Sequence, residues 1–348
     1  LLPIFQIEKG KDKSTKLWIH TNNIAERVEL NSQKSLDIFL KSFESFPLLN
    51  NWQNYLSESI RNTSEFKLGE KNEAISLCLN LDNDNKIIGW SFHLTLVKCS
   101  LIIGNNHTDA LLSRKSKNRI TSRLLKPIKE YIQDLDKILE ISASFRQRHL
   151  IEGKVEIPKP INKIESLDEF FIHNPAEYSK SYFEPLIKEE CQTYLSPLLY
   201  EADIIWFEHA NQYGLNSAGY IHKGLDYINA NEIIKYSEFI GNDLELNDDG
   251  NLSFSQIIKL CDDDNKKRIL HKLLINEFEE NEVNLFSKNS ENDESEKPSI
   301  SPWTIPGYDF TNLMNQYCIF NMITIGKKSK KNNINEINIM ESNSWKSV

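Results

Sequence analysis

Side chains able to do chemistry are scattered through this sequence rather than gathered into a motif. None of the eight His residues stands in an H-E-x-x-H pattern, no G-x-S-x-G occurs, and the 12 Gly form no phosphate-cradling loop. His20, His93 and His209 each sit in apolar or aromatic company, where a His more often hydrogen-bonds into a core than reacts. Asp262-Asp263-Asp264 offers the oxygen ligands that hard cations take, yet the run also reads as a solvated turn at a helix start. The clearest charge feature is Arg114, Lys115, Lys117, Arg119, Arg123, Lys126 and Lys129, a run without an acid. It has enough cations to meet several phosphates. It equally fits the wet face of an amphipathic helix, and the residues alone leave the two open. Lys327, Lys328, Lys330 and Lys331 form a second basic cluster.

The elements that must position these groups come from a chain with room for a large core. It has 348 residues, 39% hydrophobic and 10% aromatic. The net charge of -9 argues against a generally basic nucleic-acid surface. The five Cys are odd in number and widely spaced, which argues against a disulfide framework and a Cys-rich zinc site and fits a reducing cytoplasm. No apolar run approaches the length of a membrane helix, and no signal peptide opens the chain. It begins on Leu1 rather than Met, as a fragment or a chain without its true N-terminus would.

Patterning predicts a mixed α+β (α/β) protein with a strand-rich N-terminal third and a helical C-terminal part. Pro3–Glu8 and Lys16–Thr21 read as a hairpin around the polar turn Lys9–Thr15. Ala74–Leu81 and Ile87–Cys99 read as strands joined by the turn Asp82-Asn83-Asp84-Asn85. Helices are expected over Ser35–Phe46, Trp52–Ile60, Asp109–Glu152, Ser181–Tyr213, Asn231–Ile240, Ser255–Phe278 and Asp309–Ile325. Ile161–Asp168 reads as a short strand or hairpin. One domain over 1–325 is expected, with a mobile polar loop at 284–299 inside it and a polar tail at 326–348.

The order of several short segments resembles the catalytic domain shared by ribonuclease II and ribonuclease R, the RNB family, in its divergent cyanobacterial-like form. "LWIHTNN", Leu17–Asn23, is similar to the family strand L-W-V-H-I-A-D. "VELNSQKSLD", Val28–Asp37, resembles V-x-x-G-S-x-L-D, and Leu68-Gly69-Glu70 followed by Ala74-Ile75-Ser76 resembles L-x-P-G-E and A-L-S. Asp82–Ile87 looks like D-x-D-G-x-I. "RQRHLIEGKVEIPKP" from Arg146, "YEADIIWFEHANQYG" from Tyr200 and "ISPWTIPGYDFTNLMNQY" from Ile300 look like three later family segments, in the right order. The last corresponds to T-S-P-I-R-R-Y-x-D-L-x-N-H-Q.

The resemblance implies hydrolysis of single-stranded RNA from its 3′ end, releasing nucleoside monophosphates, with an Asp cluster holding Mg2+. Two cations roughly 4 Å apart activate water and stabilise the leaving oxygen. By the same resemblance Glu201, Arg146, Arg148, Tyr308, Asp309 and Asn23 are the candidate RNA-binding residues, Asn23 standing where the family carries Asp. No catalytic residue and no metal ligand can be assigned. The window for the Asp cluster holds "LLPIF", Leu1–Phe5, so those Asp are replaced or lie upstream of Leu1. Where the family has paired Arg, this chain has Trp303-Thr304-Ile305-Pro306-Gly307, and a further Arg expected near Tyr220-Ile221-His222 is missing. Two functions follow: an RNB exoribonuclease using Mg2+, or a catalytically inactive RNB-fold module that binds single-stranded RNA or a protein. A purely structural paralogue is the third and plainest reading.

Overall fold

The computed structural model describes residues 3–10, 14–28, 46–48, 51–112, 114, 123–151, 191–221, 227–239, 282–286 and 300–325. Its N-terminal third is built on a four-stranded antiparallel sheet. Strand β1 (Ile4–Lys9) pairs with β2 (Thr15–Asn22), Ile4 opposite His20 and Lys9 opposite Thr15. A small side hairpin follows, β3 (Phe46–Leu48) with β4 (Asn51–Gln53), and then helix α1 (Glu58–Ser64). Strands β5 (Lys71–Leu81) and β6 (Ile87–Lys98) complete the order β1-β2-β5-β6.

Strand periodicity decides what each face of this sheet meets. Cross-strand partners share a face, so Leu17, Ile19, Ile75, Leu77 and Leu79 point one way, and all are buried. The remaining helices are α2 (Asn105–Leu112), α3 (Ile132–Ile151), α4 (Cys191–Tyr213), α5 (Tyr227–Phe239) and α6 (Phe310–Ile325), and residues of α3, α4 and α6 share the main core with these strands. Strands β7 (Ser217–Ile221) and β8 (Glu282–Phe286) make a separate antiparallel pair beside α6. Phe92 meets the edges of Trp206 and Trp303 at 5.7 and 5.6 Å, locking β6 to α4 and to the segment before α6. Burying one such side chain contributes about 1.5–3 kcal/mol.

The two expected N-terminal hairpins are present, with the α+β division. At the β5–β6 turn, Asp82 Oδ1 accepts from the backbone N–H of Asp84 and Lys86 at 2.9 and 2.8 Å. Asn85 completes it with φ +58, a conformation Asn tolerates better than most residues. That explains why Asn stands where the family pattern has Gly. Helix α4 ends as expected at Tyr213-Gly214-Leu215: Gly214 has φ +63, and Leu215 N–H reaches back to Ala210 O at 2.8 Å.

Other expectations need correction. The helix over Trp52–Ile60 is half strand: Trp52 pairs with Pro47, and the helix waits for Ser57, whose hydroxyl caps it by accepting from Ile60 N–H. The helical stretch Asp109–Glu152 is divided, with a 3-10 turn over Lys129–Tyr131 before α3. Helix α5 begins at Tyr227, ahead of the expected Asn231. Residues 284–286 of the expected polar loop belong to β8. The rest of that loop, the helix over 255–278, the strand over 161–168, Asp262-Asp263-Asp264 and the tail lie outside the described residues, as does most of the expected helix over 35–46. In the basic run, Arg123, Lys126 and Lys129 are exposed while Leu125 and Ile128 are buried, and Arg114 pairs with Asp136. Arg123, Lys126 and Lys129 form the wet side of an amphipathic segment, and Lys115, Lys117 and Arg119 lie outside the described residues.

Candidate functional site

The end of β2 is where the strand resemblance places chemistry, and a single amide organises it. Gln316, buried in α6, accepts through Oε1 from the backbone N–H of Ile24 (3.0 Å) and Ala25 (3.1 Å). Its Nε2 donates to Asn22 O at 2.8 Å and Thr21 Oγ1 at 3.2 Å. The chain leaving β2 thus borrows its hydrogen bonds from a side chain rather than from another strand. Asn22 Nδ2 donates to Ser64 O at 2.8 Å, tying the same end to α1. Asn23, also buried, donates through Nδ2 to Glu26 Oε2 at 2.5 Å, and its Oδ1 accepts from Glu26 N–H at 3.4 Å. Asn23 therefore closes a local turn.

The other wall is the segment entering α6. Asp309 caps that helix, accepting from Asn312 N–H through Oδ1 (2.7 Å) and from Asn312 Nδ2 through Oδ2 (2.9 Å). Asn312 Oδ1 in turn accepts from Ile305 N–H at 3.1 Å. Trp303 is wholly buried, its backbone N–H on Asp203 Oδ1 and its indole N–H on Ala202 O, both at 3.0 Å. Asn315 holds Ala218 by both N–H and C=O, and Pro302 O as well. Tyr55 donates to Pro306 O and Tyr317 to Val28 O. Burial, with Asp309 and Tyr317 alongside, pushes the Tyr55 hydroxyl well above its usual range, and burial does the same to Tyr317. Both stay protonated donors.

Helices α3 and α4 carry the remaining candidates. Glu201 Oε2 lies 2.5 Å from Nε2 of His149, a residue only 2% exposed. Arg148 packs its guanidinium over Phe145, 4.5 Å from the ring centre, and reaches Asn85 O at 3.5 Å. Arg146 is half-buried on the same helix. The six candidates thus fall into two groups. Asn23 lies at the Gln316 end of β2, and Asp309 and Tyr308 sit two helical turns before Gln316. Arg148 touches the turn at the far end of the sheet, roughly 23 Å away along an eight-residue strand. The sequence reading did not single out Gln316, Asn315, Tyr55, Tyr317 or His149. The available signal was the amide set Asn312, Asn315 and Gln316 inside an otherwise apolar helix. The three His residues are structural: His20 bonds Ser76, His93 bonds Ser91, and His209 lies between Trp90 and Met322.

A family model, the RNB domain, matches residues 2–323. The chain belongs to the RNB family. No curated protein sequence matches it. Among solved structures it is similar to Mycoplasma genitalium RNase R in complex with ribose-methylated single-stranded RNA: 13% identity, TM-score 0.70, covering 98% of this chain and 51% of that one. It is also similar to yeast Ssd1, a pseudonuclease (14%, 0.66, 93% and 38%). An active-site mutant of the Dss1 exoribonuclease from Candida glabrata is similar too (11%, 0.55, 92% and 40%). At these identities the likeness shows the RNB fold. The chain spans about half the length of the RNase R it matches.

The metal expected of an RNB nuclease does not fit the described residues. Among them no three His, Cys, Asp or Glu side chains come together in a way that could hold a metal ion. Glu8, the one acid of β1, is at the wrong end of the hairpin. It bonds Lys16 at 3.1 Å and the Trp18 indole at 3.0 Å, which hold its carboxyl below the usual range. The stretch that the family pattern gives to paired Arg is filled by other residues. Trp303 and Ile305 occupy that stretch, and both are buried in the core. Among the described residues no helix is long and apolar enough to cross a membrane.

Proposed function

We propose that this RNB chain is part of an RNA-processing protein of the ribonuclease II type, and that it holds single-stranded RNA rather than cutting it efficiently. Family membership supports the RNA partner, as do the RNase R relatives bound to single- and double-stranded RNA. One observation carries the second half. The stretch that should present paired Arg to a scissile phosphate is instead a plug, with Trp303 and Ile305 at 0% and 4% exposure. Losing a single donor of that kind costs about 100-fold or more in rate. The pseudonuclease Ssd1 among the similar structures is consistent with this reading.

The test is titration of labelled single-stranded RNA, duplex RNA and single-stranded DNA at two salt concentrations. Saturable binding to single-stranded RNA that weakens with salt is expected. Equal, negligible binding to all three would leave a protein-interaction module in its place. The second reading is the hydrolytic 3′-to-5′ exoribonuclease using Mg2+, favoured by the family match over residues 2–323. It requires metal carboxylates beyond those described. In either case residues 1–325 act as one RNB-like domain, in the cytoplasm.

A further inference from the structure

We infer that His209 is an acid-sensitive joint, which in one neutral tautomer ties β6 to the far ends of α4 and α6 and on protonation lets the end of α6 go. The tautomer follows from its partners. An indole N–H can only donate. Trp90 Nε1 lies 3.3 Å from His209 Nδ1, so that nitrogen is the bare one and accepts. The ring proton is then on Nε2, 3.1 Å from the Met322 sulfur, a weak acceptor. One side chain of α4 thus bonds β6 through Nδ1 and α6 through Nε2. His93 differs, because its partner is the Ser91 hydroxyl. A hydroxyl can turn to accept from a protonated ring, and an indole cannot.

The surroundings of His209 offer a proton little. Strand β6 brings Trp90 and Phe92, the latter with its ring centre 5.3 Å away. Helix α4 brings Trp206 at 6.2 Å and Tyr213 at 4.6 Å, and α6 brings Met322. Glu208 is the adjacent acid on α4, but it is exposed, and helix neighbours in sequence do not face each other. Cys318, one turn before Met322, stays a neutral thiol because burial pushes it up to about 12. Burial likewise holds the His209 imidazole below its ordinary range. The stacked Trp206 face favours a cation. Against it, a proton on Nδ1 sets two N–H groups head to head and strips Trp90 of its acceptor. Relief comes from moving the ring, and the Met322 contact goes with it. The joint is therefore closed at neutral pH and opens as pH falls from 6.5 toward the depressed value.

The test uses the whole protein with isotope-labelled His, its ring signals followed by NMR from about pH 8 to about pH 4. Hydrogen exchange of α6, corrected for its intrinsic pH dependence, is read in parallel wherever circular dichroism shows the fold intact. Expected first is a neutral ring with its proton on Nε2 at the start, titrating at least about half a unit below 6.5. Exchange should then rise over Met322–Ile325 with the same midpoint, while residues 310–317 stay protected. Trp90→Phe removes the opposing donor and should raise the midpoint by about half a unit or more. His209→Gln, neutral throughout, should show no step in α6 exchange. A ring protonated on Nδ1 at neutral pH, or a midpoint at or above 6.5, overturns the inference. So does a ring that stays neutral until the fold is lost, or a midpoint unmoved in Trp90→Phe. An exchange step that survives in His209→Gln overturns it as well. Should either variant fail to fold, the titration of the parent protein still decides.

Discussion

The two ends of β2 are made of opposite materials. Near Thr15 the strand carries charge in water: Lys16 pairs with Glu8, which also takes the Trp18 indole, and both charged side chains stay more than a third exposed. Near Asn22 it carries buried amides, fixed by Gln316 and Ser64. Charge left at the surface avoids desolvation and adds little stability. Amides can be buried provided every donor and acceptor is met. The wet end keeps its charge in solvent, and the enclosed end meets its buried amides with hydrogen bonds, some of them to the carboxylates of Glu26 and Asp309. A stable floor and a hydrolytic floor demand different residues.

The contrast predicts very unequal mutational effects. Gln316→Leu removes four hydrogen bonds at once and leaves Ala25 N–H bare, while Ile24 N–H keeps Asn22 O and Thr21 Oγ1 keeps Ile75 O. At about 0.5–1.5 kcal/mol for each of the four hydrogen bonds lost, a loss of at least about 2 kcal/mol should appear in urea denaturation, or the chain should fail to fold. A drop under about 1 kcal/mol would mean the amide is not the organiser described. Next comes His20, whose ring burial depresses its pKa to about 4 from 6.5. The unfolded chain takes up a proton below 6.5 that the folded ring refuses until about 4. Stability should therefore fall as pH drops through that window, by about 1.4 kcal/mol per unit beyond the slope of His20→Asn. Parallel slopes for the two proteins would refute a buried neutral His20.

Much of this architecture was legible in the sequence, because alternation and turn chemistry are local. The hairpin around residues 10–14, the Asp82–Asn85 turn and the Gly214 stop each follow from a few adjacent residues. Legibility failed where distant partners decide. Trp52 joins a strand because Pro47 pairs with it. Gln316 matters because Ile24 and Ala25 lie opposite, nearly the whole chain away. The resemblance puts Asn23, Asp309 and Arg148 in one candidate set, and the sheet places Asn23 at one end of β2 and Arg148 at the other. Glu201 likewise has a partner, His149, that spacing alone does not reveal.

Smaller effects sharpen the same comparison. Asp309→Ala removes the cap of α6 and strands the Asn312 amide, so a loss of about 1–2 kcal/mol is expected by thermal or chemical denaturation. No loss would show that the segment entering α6 is held by Trp303 and Tyr55 alone. Smallest of all is Glu8→Gln at the wet end, where denaturation curves should overlay those of the parent. A clear shift there would erase the distinction between the two ends.

The central claim, that this RNB chain holds RNA without efficient hydrolysis, meets its most direct test in one assay. Single-stranded RNA labelled at its 5′ end is incubated with excess protein in Mg2+ and, in parallel, in EDTA, and resolved at nucleotide resolution. The account predicts full-length RNA in both lanes, retarded on a native gel. A Mg2+-dependent ladder shortening from the 3′ end, with release of nucleoside monophosphates, would contradict it.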